Sequence, residues 1–175
     1  LLLLAALLPL SIGASGVQAA AFSIAFHYGK PLPADLLRAH DIVVVEPGHG
    51  HAPDALGADT ELFAYVSVGE VLPGSAYAAA VPAHLARRDN PDWGSRVIDV
   101  SQPEWTRFVV ERIVAPLWQR GYRGFFLDTL DSYRLLTDLD PAAAQRGLST
   151  LVDTLAERFP GIRLIFNRGF ELLPA

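Results

Sequence analysis

Short, wholly apolar runs recur along the chain, separated by polar stretches that carry Pro and Gly. Each run has the length of a strand rather than a helix. The first, Phe22-Ser23-Ile24-Ala25-Phe26, stops at His27-Tyr28-Gly29. The second, Asp41-Ile42-Val43-Val44-Val45, is strongly β-branched and stops at Glu46-Pro47-Gly48-His49. Residues 61–68 make the third, ending at Gly69-Glu70, and Val97-Ile98-Asp99-Val100 the fourth. Phe125-Phe126-Leu127 is the fifth and stops at Asp128; Ile162-Arg163-Leu164-Ile165-Phe166 is the sixth and stops at Asn167-Arg168-Gly169-Phe170-Glu171.

Between the strands the apolar period changes. Residues 32–38 read as a short helix after Pro31 and Pro33, and the Ala-rich residues 76–86 as another, followed by a turn at Pro91-Asp92-Trp93-Gly94. Ser101 is placed to cap a helix with Pro103 and Glu104 in its first turn. Trp105, Phe108, Val109, Ile113, Val114 and Leu117 then recur at helical spacing, with Pro116 late enough to kink the helix. Asp140-Pro141 opens a last helix that runs to about Phe159 and is ended by Pro160-Gly161.

Strand and helix alternate, and the strands are continuous rather than alternating in hydrophobicity. That combination predicts right-handed βαβ units around a parallel α/β sheet. Only Gly29 follows the first strand, so the Gly-rich loop of a dinucleotide fold is missing. The expected fold is a (β/α)8 TIM barrel. A complete one takes about 250 residues, so the chain is read as a barrel truncated after its sixth strand. Six parallel strands should neighbour one another in sequence order, with no hairpin.

Composition narrows the class. Of the 175 residues, 51% are apolar, which excludes a disordered chain. Residues 1–12 are almost entirely apolar, and Val17-Gln18-Ala19 fits the small-x-small pattern of a secretory cleavage site. Residues 1–20 are therefore read as part of a signal peptide whose basic start lies upstream. Residues 21–175 are read as the barrel domain, delivered to the periplasm or the exterior. There is no Cys, so no disulfide and no Cys-based zinc site can form. The net charge of −5 argues against nucleic acid and suits a neutral or cationic ligand.

The chemistry collects at the carboxyl ends of the strands, where parallel α/β folds bind their ligands. His27 and Tyr28 stand at the first end, Glu46 at the second, Glu70 at the third, Asp99 at the fourth. Asp128, Asp131 and Tyr133 follow the fifth, and Asn167, Arg168 and Glu171 the sixth. Paired carboxylates are the minimum equipment for breaking a glycosidic bond, one as acid and one as nucleophile or base. The plainer alternative for Asp128 is an N-cap of the next helix. Rim aromatics such as Tyr28, Tyr77, Tyr133 and Phe170 offer faces for sugar rings, although packing accounts for most aromatics. His49 and His51 flank Gly50 near Glu46, but no third ligand accompanies them, and no metal or other cofactor is expected.

Three strings occur in order: Tyr65-Val66-Ser67-Val68-Gly69-Glu70, Phe125-Phe126-Leu127-Asp128-Thr129-Leu130-Asp131-Ser132-Tyr133 and Asn167-Arg168-Gly169-Phe170-Glu171. Together they resemble the endo-α-1,4-polygalactosaminidase family of glycoside hydrolases, with the nearest likeness to the N-terminal hydrolase domain of PelA-type exopolysaccharide proteins. The resemblance runs from about Phe22 to the chain end. It implies a (β/α)8 fold and cleavage of α-1,4-linked galactosamine or N-acetylgalactosamine polymers. It also implies that Asp128 is one catalytic carboxylate and that Glu171 fits the second role, unless an acid further along the full protein fills it. His27, Tyr28, Glu46, Glu70, Asp131, Tyr133, Asn167 and Arg168 are then substrate-binding candidates. The expected partners are the polysaccharide and exopolysaccharide secretion machinery, with the protein itself a monomer. The competing class is a secreted carbohydrate-binding barrel without a matched acid pair.

Overall fold

Why the central apolar runs are continuous is clear from what covers them. In the computed structural model, which describes residues 23–172, β1 (Ile24–His27), β2 (Ile42–Val45), β3 (Glu61–Ser67), β7 (Gly124–Asp128) and β8 (Arg163–Phe166) form one sheet in that order. All four pairings are parallel. Val43, Val45, Leu62, Ala64, Phe125 and Leu127 face the helices and are buried in the main core. Residues of the opposite parity, Val44, Phe63 and Phe126, pack with Ile42, Tyr65 and Ile165 in a second cluster on the other face. A strand apolar on both faces shows no alternation. Parallel strands that keep sequence order, without the reversal of a doubly wound sheet, wind like a barrel.

The helices cover the first face. α1 (Ala34–Leu37) is a single turn that buries Leu37. The long helix after Pro103 is three segments: α2 (Pro103–Phe108), a π-helical stretch (Val109–Val114) and α3 (Ala115–Gln119). Pro116 explains the break, because it has no N–H for the carbonyl of Arg112 and its ring would collide with that carbonyl. Widening the preceding turn removes the collision without ending the helix. All six residues at the expected spacing are buried. Ser101 is not the cap; Gln102 is, with no capping hydrogen bond from its side chain, while Ser101 binds Asp99. α4 (Pro141–Arg158) begins as expected, with Asp140 Oδ1 accepting from the Ala142 N–H at 3.0 Å.

Two expectations are corrected. Residues 76–86 do not form a helix. They make two isolated 3-10 turns, Ala78–Ala80 and Ala83–Leu85, on either side of Pro82. Val81, which precedes that proline, is extended (φ −69°, ψ 125°), as the proline ring requires. The parallel sheet also has five strands, not six. The fourth apolar run belongs to β6 (Ser95–Ile98), which pairs antiparallel with β4 (Glu70–Val71) and β5 (Ala86–Asn90) in a separate sheet. β5 reads Ala-Arg-Arg-Asp-Asn, so it has none of the apolar content that marks a strand in sequence. A hairpin is thus inserted after β3, at the carboxyl end of the sheet. The leader read over residues 1–20 lies outside the described residues. Among the described residues no helix is long and apolar enough to cross a membrane.

Candidate active site

Register brings the site together. Ser67 pairs with Asp128, so β3 and β7 end level. Leu127 pairs with Phe166, so Asn167 follows β8 beside Asp128. Asp128 has the parity of Phe126, on the sheet face shared with Tyr65. Its Oδ2 accepts from the Tyr65 hydroxyl at 2.7 Å and its Oδ1 from Asn167 Nδ2 at 2.6 Å. Both carboxylate oxygens are therefore aimed by donors from the strands on either side. The Tyr65 hydroxyl is held neutral, its pKa driven far up first by burial and then by the bond to Asp128.

The backbone after Asp128 is forced into an unusual turn. Thr129 has φ 63°, the left-handed region that a β-branched residue rarely enters. The turn is held because Thr129 Oγ1 accepts from the Gly69 N–H at 2.8 Å and shares a hydrogen bond with Ser67 Oγ at 2.9 Å. Gly69 is required there: a Cβ on it would lie 2.1 Å from the Thr129 carbonyl oxygen. Arg168, next to Asn167, is also left-handed, at φ 69°. Such strain persists only where its surroundings over-determine it, and it gathers at functional sites.

A cleft of about 760 Å³ opens over these residues. Asp128, Tyr65 and Asn167 line it where β7, β3 and β8 end, together with Tyr28 and Glu46 after β1 and β2, Asp131 and Arg134 after β7, and Arg168 after β8. The hairpin contributes Asp92 and Trp93. Five carboxylates, Glu46, Glu70, Asp92, Asp128 and Asp131, line it against two guanidinium groups. The Tyr28 ring packs edge-on against Tyr65, centroids 5.3 Å apart. Its phenol is pushed up to about 12, first by burial and then by Asp128 and Glu46.

A family model, described as glycoside-hydrolase family GH114, matches residues 11–175. The chain belongs to glycoside-hydrolase family GH114. Among solved structures, the glycoside hydrolase domain of PelA from Pseudomonas aeruginosa is similar at 35% identity and a TM-score of 0.73, over 87% of this chain and 62% of that one. This GH114 chain thus spans less than two thirds of the PelA domain's length. Aspergillus fumigatus Ega3, solved in complex with galactosamine, shares the fold at 16% identity and a TM-score of 0.61, over 81% of this chain and 57% of that one. An α-galactosidase from Thermus thermophilus, in complex with p-nitrophenyl α-D-galactopyranoside, shares it at 14% identity and a TM-score of 0.53, over 83% and 37%. A search of curated proteins found no match. The GH114 fold is a TIM-type barrel, of which β1, β2, β3, β7 and β8 are consecutive strands.

The GH114 cleft holds most of the residues expected from sequence, but not all. Tyr28, Glu46, Glu70, Asp128, Asp131, Asn167 and Arg168 line it; His27, Tyr133 and Glu171 are not among its lining residues. The expected opposition of Asp128 and Glu171 across one cleft is therefore not found. Glu171 Oε1 accepts from the Tyr133 hydroxyl at 2.9 Å and from Arg134 at 3.1 Å, so it reaches the cleft only through Arg134. Its pKa is lowered, chiefly by its own backbone N–H and then by Tyr133 and Arg134. Tyr133 is buried at 2% exposure, and its hydroxyl also accepts from Gln145 at 3.1 Å, so it offers no face to a ligand.

Glu70 lines the cleft but is itself 4% exposed. It accepts from Asn90, Ser95 and Ser132. Asp131 is paired with Arg168 at 2.8 Å. His27 bonds the Pro31 carbonyl, and His49 and His51 both turn their ring nitrogens to the carbonyl of Gly29. Among the described residues no three metal-ligating side chains converge. Asp99 is enclosed by Arg87, Ser101 and Gln102 and stands apart from the cleft. Sequence reasoning missed Tyr65, although its parity with Phe63 and Ser67 would have put it on the site face. It also missed Trp93, for which the local sequence signals only a turn.

Proposed function

We propose that the protein is a secreted glycoside hydrolase that cleaves α-1,4-linked galactosamine or N-acetylgalactosamine polysaccharide, with Asp128 as a catalytic carboxylate. The observation that carries this reading is Asp128 itself. It ends a barrel strand at the cleft, with each oxygen fixed by a donor from a neighbouring strand. A carboxylate held in this way can attack an anomeric carbon or orient the water that does. Tyr65 and Asn167 set its direction; neither needs to move for reaction, which is the economy of a preorganised site.

The substrate class rests on three supports: membership in GH114, the PelA domain, and a cleft whose acids outnumber its cations. An acid-rich cleft favours a sugar that carries an ammonium group. The Tyr28 phenol stays protonated through neutral pH and is free to donate to a sugar hydroxyl. Glu46, Asn167, Arg168 and Asp131 supply further polar contacts around it. Two-carboxylate cleavage needs a second acid. Glu171, which the resemblance implied, is not among the residues lining the cleft, and its role is to position Arg134, which donates to it.

Digestion of an α-1,4-galactosamine polymer, with products sized by mass, tests the reading. The wild-type protein should shorten the polymer and Asp128→Asn should not. Binding without cleavage by the wild type would instead support the carbohydrate-binding barrel. Secretion is tested on exported protein, whose N-terminus should map near Ala20 or Ala21; a retained Leu-rich start would refute it.

A further inference from the structure

Trp93 is the most exposed large apolar side chain among the described residues, at 76%. Tryptophan is on average a highly buried residue. It stands in residues 91–94, the turn between β5 and β6, and it lines the cleft on the hairpin side. Leu72 (49% exposed) and Leu135 (39%) are exposed apolar residues that line the same cleft.

The turn is held more firmly than its exposure suggests. Asn90 precedes it and Ser95 follows it, and the side chains of both donate to the buried Glu70 carboxylate. Asn90 also closes the turn from within: its Oδ1 accepts from the Asp92 N–H at 3.3 Å and its carbonyl from the Trp93 N–H at 3.3 Å. Gly94 completes it at φ 62°. Glu70 further accepts from Ser132 Oγ at 2.5 Å, on the loop that follows Asp128. One buried carboxylate thus ties the base of the turn to the catalytic loop.

We propose that Trp93 is a fixed stacking platform for a second sugar unit of the polymer, set apart from the unit that meets Asp128. The inference rests on the polysaccharide reading above. An indole carried on a held turn at a cleft presents a flat apolar face to the axial hydrogens of a pyranose ring. The same face attracts an ammonium group, and Asp92 beside it supplies the counter-charge. Glu70 is then a positioning residue: it sets the distance between platform and Asp128 and touches no sugar.

Intrinsic fluorescence tests the platform in the uncleaving Asp128→Asn protein. Trp105 is buried at 1% exposure, and Trp118 packs between Phe159 and Arg123, so quenching by a ligand reports Trp93. Titration with α-1,4-galactosamine oligosaccharides should quench the signal, and a Trp93→Ala partner should bind them on the order of tenfold more weakly by calorimetry. Trp93→Phe should restore most of that loss. Oligosaccharides that quench nothing, or that bind equally with and without Trp93, overturn the platform. If the wild type cuts the polymer but binding ignores Trp93, the platform falls and the hydrolase stands. If the wild type does not cut while Trp93-dependent binding persists, the hydrolase falls and the platform stands.

Discussion

The Tyr65 hydroxyl donates to Asp128 Oδ2 across 2.7 Å, joining adjacent strands at the cleft. It fixes the direction of the carboxylate, and the phenol itself is held firmly in its protonated form. Asp128→Asn keeps the shape and removes the charge, so turnover of galactosamine polymer should fall about 10²–10⁴-fold. Tyr65→Phe removes only the donor, and a hydrogen bond to a charged group is worth about 1.5–3 kcal/mol. Its turnover should therefore fall less than that of Asp128→Asn. Steady-state kinetics of the two variants checks the order; a greater loss for Tyr65→Phe would contradict it.

Gly69→Ala is expected to be damaging although the site is small. The new methyl would lie 2.1 Å from the Thr129 carbonyl oxygen, which is backbone and cannot swing aside. Overpacking of this kind costs about 1–3 kcal/mol. Because Thr129 follows Asp128, activity should fall along with stability. Urea melts and polymer turnover, measured on one preparation, would show both losses. An alanine variant of wild-type stability would mean that the turn relaxes freely.

Asp131 and Asp128 are three residues apart but differently engaged. Asp131 is held by Arg168, whose side chain is 69% exposed, so the pair is open to water. Exposed ion pairs contribute about 0–1 kcal/mol. Asp131→Asn should change thermal stability little and cost less activity than Asp128→Asn. Abolished activity in Asp131→Asn beside an active Asp128→Asn would reverse the assignment of the two acids.

Glu171 carries a pH signature. Its folded pKa lies below the ordinary value of 4.5, chiefly through its own backbone N–H, then Tyr133 and Arg134. The folded state therefore binds this proton less readily than the unfolded chain does. The resulting stability is complete above about pH 4.5 and is lost as pH falls through the lower folded value. Proximity to solvent keeps the effect small. Glu171→Gln should flatten the loss of melting temperature below that pH and reduce polymer turnover less than Asp128→Asn does. An unchanged acid limb would show that another group governs it.

Much of the fold was legible locally. A strand covered on both faces must be apolar throughout, so the central parallel strands announced themselves as runs such as Val43-Val44-Val45 and Phe125-Phe126-Leu127. The change from such a run to Asp128 marked a strand end, and strand ends in a parallel sheet share one face of the molecule. The helix from Pro141 was written in its Asp140 cap and its apolar spacing.

What sequence could not carry was the excursion between β3 and β7. β5 is polar because it is a half-exposed strand of a small sheet, so no apolar period marks it. The Ala-rich stretch before it has high helix propensity, yet Pro82 divides it into pieces too short to nucleate a helix. Only the assembled hairpin places Trp93 at the cleft. Glu171 shows the same limit in reverse: its motif position suggested the site, but the turn after β8 delivers its carboxylate to Tyr133 and Arg134. Which runs form the buried strands of the parallel sheet was determined by the sequence, because burial of a strand is a local demand on every residue in it. Which carboxylates share the cleft was decided by the tertiary structure. A side chain's direction after a strand depends on left-handed turns such as Thr129 and Arg168, and on hydrogen bonds from residues far away in the chain.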